Sequence, residues 1–559
     1  MNQFDTHEVL NQVAPFENTN LYSCDLALQE ALEREGGAAF HTGLRELGAT
    51  LGKAETLDLG RQANVNTPRL VSFDRTGTRI DELEFHPSWH TLMAMMIGAG
   101  AHASPWDLGA AGAQVGRAAQ YMLFGQVENG AQCPVTMTYA CVPALRQAPA
   151  IAAKWLPKIL SRQYDPRSLP IEQKHGALIG MGMTEKQGGT DVRSNSTRAR
   201  PMDAAEARRR FGEEGEQAHE VVGHKWFFSA PQSDAHLVLA QTDDAGSAGL
   251  SCFFMPRYLP DGSRNAIRVQ RLKDKLGNRS NASSEVEFCG AVAWPVGPIG
   301  RGVATILEMG SHTRLDCVVG TAGGMRAGLT HALHHARGRS AFGRKLAEQP
   351  LMQNVLADLA LESEAATAFA LRLARCYDEL ADPAQAALAR VLTPAGKYWL
   401  CKRGPAFGAE AMEVLGGNGY VEDGPLARLY REFPVNSIWE GSGNVMCLDL
   451  LRAFGKSAAA RDALAGELGL AAGLNAHFDG CAERLLAQLA QPQTDEFGAR
   501  RLAERIVVAV QAALLLRHAP DFVSDAFVRS RIERDVGGAF GRLPDGVDCA
   551  AILARALVE

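Results

Sequence analysis

The sequence lacks the features of a disulfide-stabilised, secreted or membrane-spanning protein. Its eleven cysteines form no Cys-x-x-Cys pair and show no even spacing, which suits a reducing compartment better than a disulfide framework. The opening stretch MNQFDTHEVLNQVAPF has neither a basic start nor an apolar core, so we expect no signal peptide. The longest strongly apolar run begins at Ile506, is interrupted by Gln511 and is too short to span a bilayer. We therefore expect a soluble cytoplasmic protein with no membrane partner.

The chain also lacks an excess of charge of one sign. Lys and Arg number 57 against 63 Asp and Glu, a net charge of -6, so the overall balance indicates neither a nucleic-acid nor an anionic-membrane partner. What the chain has is length and apolar content. With 559 residues, 46% of them hydrophobic, it can bury a large core and is expected to form several domains.

Hydrophobic periodicity divides the chain into regions of different predicted structure. Apolar residues three and four apart predict helices from about residue 20 to residue 165. Short β-rich runs follow from Gly176, and because no long helical period interrupts them we expect a mostly antiparallel sheet. Helical periods return after Gly302 in segments that suit a helix bundle, near residues 303 to 337, 350 to 381, 386 to 414 and 437 to 455. The predicted domains are an N-terminal helical domain 1–175, a β domain 176–298, a helix-bundle domain 299–455 and a C-terminal helical extension 456–559.

Two motifs in the β-rich region carry candidate chemistry. In MTEKQGGTD, a predicted strand ends at Met183 and Thr184, and the glycines that follow allow backbone N–H groups to approach a phosphate or a polar ring edge. An ordinary glycine turn explains this motif equally simply, and no helix or acidic residue of a dinucleotide fingerprint follows it, so NAD binding is not supported. In GHKWFFSA, alternation predicts Trp226 and Phe228 on one face of a strand, packed in the core, and Phe227 with Ser229 on the other.

A third motif, VNSIWEGSGNVM, places Glu440 between Trp439 and a Gly-Ser-Gly turn, with no Lys or Arg in the window. Partial desolvation beside the tryptophan favours the neutral acid and predicts a carboxylate suited to accept a weakly acidic proton. The alternative is an acid in the first turn of a helix, stabilised by the helix dipole by only about 0.3–1 kcal/mol. Either interpretation predicts that Glu440 opens a helix.

A pair of histidines, His331 and His335, stands one helical turn apart in HALHHAR, a spacing that can bind a metal. No set of carboxylates at matching positions on other helices accompanies them. A packed or solvated pair is the better interpretation, and no metal is assigned.

Taken together, four motifs resemble a known family. The stretches MGMTEKQGGTDVRSNSTRA, GHKWFFSAPQSDAHLVLAQT, RLKDKLGNRSNASSEVEF and NSIWEGSGN occur in the order seen in acyl-CoA dehydrogenase flavoproteins, and they are most similar to the AidB branch, the alkylation-response flavoproteins. The likeness runs from about residue 5 to residue 455 and continues weakly to the C-terminus. It implies a mostly α fold with a central antiparallel β domain, a C-terminal helix bundle and an extra helical region. It also implies FAD as cofactor.

The resemblance assigns the cofactor site residue by residue. In the family, the residue matching Phe227 lies against the isoalloxazine and the one matching Ser229 lies near its N5 edge. The residue matching Arg339 reaches the FAD pyrophosphate of a neighbouring subunit, which implies a homo-oligomer, expected to be a homotetramer. A family glutamine is replaced here by Glu413, which puts that contact in doubt. The predicted cofactor residues are Met183, Thr184, Gly189, Thr190, Phe227, Ser229, Arg339, Phe342, Gln353, Gly416, Gly417, Gly441, Ser442, Gly443 and Asn444.

Glu440 falls on the catalytic glutamate of the family. The implied reaction removes the α-proton of an acyl-CoA thioester to Glu440 while the β-hydride passes to flavin N5, with the Glu440 N–H as one donor to the thioester oxygen. Trp439 stands where the family commonly has tyrosine, so a pocket narrowed to short or branched acyl chains is expected. The electron acceptor, an electron-transfer flavoprotein or oxygen, stays open.

A second function is open because the AidB branch binds double-stranded DNA through its C-terminal extension, protects against alkylation damage and has only weak dehydrogenase activity. Residues 456–559 here hold 12 Lys and Arg against 14 Asp and Glu, a difference of -2, which is not a basic domain. Two clusters could nevertheless meet phosphates. A solvated face balanced by neighbouring acids is as good an interpretation of each cluster. The candidate DNA-binding residues are Arg500, Arg501, Arg505, Arg529, Arg531 and Arg534.

Overall fold

A computed structural model describes residue 4 and residues 6–242, 249–491, 495–533 and 538–558. The chain divides into two compact units. The bundle unit consists of Met1–Leu57, Ala111–Val127 and Cys317–Glu559, and the β unit consists of Asp58–Ala110 and Glu128–Asp316. The predicted succession of N-terminal helices, a β region and C-terminal helices is confirmed. Across the described ranges, no helix combines the length and the apolar character needed to cross a bilayer.

The elements follow one another along the described chain as predicted in type, with some additions. The helices are α1 Leu26–Arg34, α2 His41–Leu51, α3 Ala54–Val65, α4 Pro87–Ala99, α5 Ser104–Asp107, α6 Ala113–Gly125, α7 Gln132–Leu145, α8 Pro149–Ile159, α9 Ala204–Phe211, α10 Gly302–Gly338, α11 Pro350–Asp378, α12 Pro383–Val414, α13 Gly417–Tyr420, α14 Leu426–Asn436, α15 Gly443–Lys456, α16 Ala458–Gly469, α17 Ala476–Leu489, α18 Ala499–His518, α19 Asp521–Val528 and α20 Cys549–Ala556. The strands are β1 Arg69–Phe73, β2 Arg79–Glu84, β3 Ile179–Gly182, β4 Arg198–Pro201, β5 His219–Ser229, β6 Ala235–Thr242, β7 Leu250–Pro256, β8 Ile267–Leu272, β9 Ser283–Pro295, β10 Ser340–Ala341 and β11 Arg344–Lys345.

The β unit is built on a seven-stranded sheet. Its strands run in the order β3-β6-β4-β5-β9-β7, with β8 beside β9, and the pairing of β6 with β7 closes the sheet on itself. The predicted antiparallel character is confirmed for most pairs, while β3 and β4 both pair with β6 in parallel. The core inside this sheet includes Val221, Phe228, Phe253 and Phe288, all at most 1% exposed. The hairpin of β1 and β2 and the short helix α9 were not predicted.

Strand β5 departs from simple alternation. Its register against β9 shifts between Lys225 and Phe228, so both of these residues are buried although three positions separate them. Trp226 is only half-buried and Phe227 is 52% exposed. The prediction that Trp226 shares a core face with Phe228 is therefore wrong, because a β-bulge breaks the period of two.

The bundle unit confirms three of the four long helices predicted in its region, as α10, α11 and α12. The fourth is shorter than predicted, because α15 begins only at Gly443. Glu440 does not open a helix, contrary to the prediction, and lies in the turn between α14 and α15. Its φ of 57° and the φ of 99° at Gly441 are left-handed, so the right-handed helix of α15 cannot include them.

The C-terminal extension is helical, as predicted, and packs on the bundle through α16, α18 and α20. One buried ion pair joins it to α11, where Arg372 Nη2 lies 2.7 Å from Glu467 Oε2 and both side chains are at most 8% exposed. The extension therefore forms part of the bundle unit. The bounds of the four predicted domains stay predictions.

Candidate active site

The helix that leads to Glu440, α14, is seated on α12 by one aromatic ring. Phe433 is 2% exposed. A Cβ atom added at Gly404 or at Gly408 would lie 2.6 Å from the Phe433 ring, so only glycine leaves room for it there. The two glycines of RGPAFGAE thus leave a depression on the surface of α12 that holds the Phe433 ring. This contact fixes the position of α14 and of the start of the turn that carries Glu440.

The turn itself is tied by hydrogen bonds at its beginning. Asn436 Nδ2 donates to Thr321 Oγ1 at 3.2 Å, and Trp439 Nε1 donates to Asn436 Oδ1 at 3.1 Å. The backbone N–H groups of Ile438 and Trp439 both donate to the Val435 carbonyl. These bonds hold the Trp439 ring in place, and Glu440 follows it as a partly buried residue.

A lysine outside every sequence motif described above closes the turn. Lys397 on α12 is 1% exposed, and its ammonium Nζ donates to the carbonyl oxygens of Trp439 at 2.6 Å and of Gly441 at 2.5 Å. The two carbonyls flank Glu440 on either side. The only sequence signal was a single lysine inside the apolar helical stretch LTPAGKYWLC, which by itself does not reveal what the lysine contacts.

The first turn of α15 carries the remaining residues of the motif. Ser442 is its N-cap residue, and a Cβ added at Gly443 would lie 3.3 Å from the Tyr398 ring, so α15 approaches α12 closely here. Asn444 accepts a hydrogen bond at its Oδ1 from Arg500 Nε at 2.9 Å. The C-terminal extension therefore contacts the predicted cofactor motif directly.

In the β unit, a second buried lysine organises the glycine turn after β3. Lys225 Nζ lies 2.8 Å from Glu185 Oε1 and 2.8 Å from the Leu239 carbonyl, and both charged side chains are fully buried. Glu185 also accepts the backbone N–H groups of Ser196 and Thr197. Burial disfavours the Glu185 carboxylate, but the Lys225 charge and these hydrogen bonds outweigh it and lower its pKa to about 2.

The predicted flavin residues of the β unit gather around this turn. The Trp226 N–H donates to the Thr184 carbonyl at 2.8 Å, which joins the end of β3 to the bulge of β5. A Cβ added at Gly189 would lie 2.7 Å from Thr184 Oγ1, so the turn folds back onto the strand end only because residue 189 is glycine. Phe227 is exposed, and Met183, Gly189, Thr190 and Ser229 retain exposed surface.

The predicted pyrophosphate residues stand on a hairpin of the bundle unit. Strands β10 and β11 are joined by Phe342 and Gly343, with φ values of 53° and 79°, which is a two-residue turn of the mirror-image type. Phe342 is 99% exposed although a phenylalanine disfavours this backbone region. Arg339 donates to the carbonyl of Asn11, whose side chain also bonds the backbone of Ser340 at 2.8 Å.

The rest of the predicted adenosine site is exposed or partly exposed. Gln353 is partly exposed on the first turns of α11. Gly416 and Gly417 lie at the start of α13, where Gly416 has a φ of 59° and a Cβ at either position would meet nothing within 4 Å. Glu413, which replaces the family glutamine, is exposed just before them.

The candidate DNA-binding arginines differ in their surroundings. Arg531 is bound to Asp358 and lies 3.3 Å from Glu362, both buried acids of α11, and its side chain is 14% exposed. Arg529 donates to Asp525 and to the Asp545 carbonyl. Arg500 donates to Asn444, whereas Arg501 and Arg505 are exposed on α18. Arg534 lies outside the described residues.

Of the two histidines of α10, His331 is partly buried and His335 is buried. His331 meets the Phe16 ring edge-on at 5.9 Å between centroids, and burial lowers its pKa to about 4. His335 is 9% exposed. Among the described residues, no group of three His, Cys, Asp or Glu side chains could hold a metal ion.

Three family models match the chain in order. The adaptive response protein AidB N-terminal domain matches residues 11–166. The acyl-CoA dehydrogenase middle domain matches residues 180–291, and the acyl-CoA dehydrogenase C-terminal domain matches residues 300–455. These matches cover most of the chain.

Individual relatives agree with these matches. The chain is 49% identical to the Escherichia coli (strain K12) protein named "Putative acyl-CoA dehydrogenase AidB", over 532 residues that cover 95% of each chain. The solved structure named Bd2924 apo-form has a TM-score of 0.82 at 30% identity and covers 91% of this chain and 100% of its own. Caenorhabditis elegans ACDH-11, solved in complex with C11-CoA, has a TM-score of 0.83 at 26% identity and 96% coverage of each chain. The chain therefore belongs to the acyl-CoA dehydrogenase family, in its AidB branch, and is an acyl-CoA dehydrogenase-like oxidoreductase.

Proposed function

We propose that the protein is an FAD-dependent dehydrogenase that forms an α,β double bond in a short or branched acyl-CoA, with Glu440 as the base. The observation that carries this proposal is the turn between α14 and α15. A partly buried glutamate is held there in a left-handed conformation by hydrogen bonds from three directions: α10 through Thr321, α12 through Lys397, and its own turn. A structure keeps such an unfavourable backbone conformation only where its surroundings enforce it, and such positions cluster at functional sites.

FAD is the cofactor of this family, and the residues present fit it. In the β unit, the Thr184 and Gly189 contact forms a cradle that a larger residue at 189 would fill, beside the exposed ring of Phe227. In the bundle unit, Gly416 and Gly417 leave open space. Gly441 precedes α15, Ser442 is its N-cap residue, and Gly443 and Asn444 are its first two residues, where N–H groups can bind a polar group. When bound, FAD supplies the acceptor for the β-hydride at its N5.

The residues of the chain supply the proton chemistry and the alignment of the thioester. Glu440 accepts the α-proton, so that the α-carbon can form a double bond as the β-hydrogen leaves with its electron pair. The thioester oxygen then gains negative charge, and the backbone N–H of Glu440 is the donor proposed to stabilise it. Proton removal and stabilisation of the thioester oxygen therefore both require that the backbone at Glu440 has a fixed position.

An acyl-CoA substrate is supported by the C. elegans relative, which was solved with C11-CoA bound. For this chain we propose a shorter or branched acyl group, because Trp439 is larger than the tyrosine common in the family. Its indole is fixed by the bond to Asn436 and cannot swing aside without losing that bond. In this proposal, the limit on the length of the acyl chain is set by the fixed indole of Trp439.

The test is anaerobic reduction of the bound flavin. The purified holoprotein is mixed with a panel of straight and branched acyl-CoA thioesters of increasing length, beside a Glu440→Gln variant that keeps the shape of the side chain. Bleaching of the flavin absorbance in the wild type and its loss in Glu440→Gln are expected. Bleaching that is fastest with long straight chains would refute the narrowed pocket, and equal bleaching in both proteins would refute Glu440 as the base.

An oligomer that shares the cofactor is part of this proposal. The bundle unit exposes several large apolar side chains, among them Phe342 at 99%, Leu351 at 86% and Tyr420 at 77%. Contiguous exposed apolar side chains mark contact surfaces, and we propose that these three residues contribute to one. We expect a homotetramer by light scattering, and loss of both assembly and bound FAD in Phe342→Ser. A monomeric wild type that retains FAD would refute the shared site.

A second candidate function, association with double-stranded DNA, is favoured by one observation. Arg501 and Arg505 are exposed one turn apart on α18, where they could meet adjacent phosphates. Arg531 is a weaker candidate, since its guanidinium is committed to buried acids of α11. Duplex binding should weaken with salt, and Arg501→Glu should reduce the slope of log affinity against log salt. A slope near zero in the wild type would remove this function.

A further inference from the structure

Lys397 stands out as a buried charge that the proposed chemistry does not yet use. It lies on α12, is 1% exposed, and its two partners are the neutral carbonyl oxygens of Trp439 and Gly441. No carboxylate pairs with it among the residues that the structure describes. A buried ammonium is costly unless it is fully hydrogen-bonded, so a chain that keeps one here gains something from those two bonds.

The two bonds fix the direction of the Glu440 N–H. A peptide group is planar and trans, so the carbonyl of Trp439 and the N–H of Glu440 point in opposite directions from one rigid plane. By holding the Trp439 oxygen, Lys397 therefore aims the Glu440 N–H away from α12. A rotation of this plane would turn the carbonyl, an acceptor, toward the place where the donor is needed.

The same two bonds fix the Cα of Glu440. Its left-handed φ of 57° is unfavourable for a residue with a side chain, and Gly441 continues the reversal with a φ of 99°. Lys397 holds the peptide group before Glu440 through the Trp439 oxygen, and the peptide group that joins Gly441 to Ser442 through the Gly441 oxygen. The backbone is therefore held on both sides of the Glu440–Gly441 pair. The direction in which the Glu440 carboxylate leaves the backbone is set by that clamp.

We propose that Lys397 is a positioning residue, which aims both the carboxylate and the N–H of Glu440 at one thioester. The proposal rests on Glu440 being the base, and it adds a reason why proton removal and oxyanion stabilisation remain aligned with each other. Lys397 contacts neither the thioester nor the flavin in this scheme. Its charge also strengthens its own hydrogen bonds, which is why a neutral donor would hold the turn less firmly.

The test uses Lys397→Met, which keeps the length and apolar stem but removes the donors, in the holoprotein. The rate constant of flavin reduction by the best thioester should fall by about 100-fold, as expected for a reacting group displaced by roughly 1 Å. The Kd for the thioester, obtained from the concentration dependence, should change by less than about twofold, because Lys397 does not touch the substrate. If the methionine variant does not fold, Lys397→Gln applies the same test, since glutamine is too short to reach both carbonyls.

A matched control separates positioning from general stability. Arg372→Gln removes another buried cation of the same unit, whose partner Glu467 lies on α16. Arg372→Gln should lower the Tm while leaving the reduction rate at the wild-type value. A reduction rate that falls equally in both variants would show that Lys397 acts only through stability and would overturn the proposal.

Amide hydrogen exchange gives a readout that needs no substrate. In Lys397→Met, peptides that cover residues 436 to 446 should exchange faster than in the wild type. In Arg372→Gln, the same peptides should exchange at the wild-type rate. If the wild type reduces no thioester at all, the proposed dehydrogenase function fails, and unchanged exchange in Lys397→Met would then overturn the clamp as well. If the wild type reduces thioesters and Lys397→Met does so equally fast, only the role of Lys397 fails.

Discussion

Two fully buried lysines, one in each unit, hold the two turns on which the predicted chemistry depends, and they do so differently. In the β unit, Lys225 is neutralised by Glu185, and the carboxylate in turn accepts the N–H groups of the following loop. In the bundle unit, Lys397 has carbonyl partners only. Lys225 therefore belongs to a buried ion pair that stabilises the fold. Lys397 instead uses its charge to hold backbone carbonyls next to one residue, Glu440.

The difference shows that the free-energy cost of burying a lysine can be offset in two ways. In an ion pair the two charges compensate each other, so the glycine turn after β3 depends on Lys225 mainly through Glu185. Carbonyl oxygens satisfy an ammonium less completely, so the position of Lys397 is explained by what it orients more than by what it stabilises. Fold stability should therefore respond more to the first lysine, and catalysis should respond more to the second.

The largest expected effect on stability comes from Lys225→Met. It leaves the Glu185 carboxylate buried without its counter-ion, which typically costs about 3–5 kcal/mol. Thermal or denaturant unfolding of the variant should show this loss. The double variant Glu185→Gln/Lys225→Met should recover part of it, and a single variant as stable as the wild type would contradict the ion-pair account.

The next largest effect is a dependence of stability on acid pH, which is expected from the turn held by Lys225 and Glu185. The Glu185 pKa is lowered from 4.5 to about 2 in the folded protein, so its contribution is fully present above pH about 4.5 and is lost as the pH falls toward 2. The free energy of unfolding of the wild type, minus that of Glu185→Gln/Lys225→Met, should shrink across this acid window. A difference that stays constant with pH would show that the pair is not ionised.

A smaller stability effect is expected from Lys397→Met. The variant loses two charge-assisted hydrogen bonds, but it also removes the cost of burying an ammonium and leaves no charge unpaired, so a net loss of roughly 1.5–3 kcal/mol, about that of one such bond, is expected. Denaturant unfolding should therefore rank it as less damaging than Lys225→Met. The reverse order would mean that Lys397, and not Lys225, is the main structural cation.

The smallest effect concerns the strain at Glu440 itself. Glycine adopts a φ of 57° without the penalty that a Cβ brings, so Glu440→Gly should be more stable than Glu440→Ala by about 1–2 kcal/mol. In a relaxed helical turn the order would reverse, because glycine weakens helices. Comparing the two Tm values decides between these cases.

The sequence predicted the helices of the bundle well, because the periods that became α10, α11 and α12 reflect burial against neighbours. It did not predict the turn at Glu440. The left-handed pair Glu440 and Gly441 is enforced by Lys397, 43 positions earlier in the chain, and no local pattern records that contact. Local propensity instead favoured extending α15 backwards over the turn.

The β unit teaches the same lesson on a smaller scale. Alternation along β5 predicted the faces of Phe227 and Phe228 but not the bulge, which buries Lys225 and turns Trp226 toward the surface. With the bulge in place, Lys225 reaches Glu185, a partner 40 positions away. The left-handed turn at Glu440 and the bulge of β5 were therefore not predicted, because they accompany contacts between residues distant in sequence and do not follow from local conformational propensities.

The most direct test of the central claim follows the proton alone. A 3-thiaacyl-CoA has sulfur at the β position and cannot lose a β-hydride, so the exchange of its α-hydrogens with D2O on the holoprotein isolates the base. The account predicts exchange with the wild type and none above background with Glu440→Gln, measured by mass spectrometry of the recovered thioester. Exchange at the same rate in Glu440→Gln would show that another group removes the proton and would contradict the account.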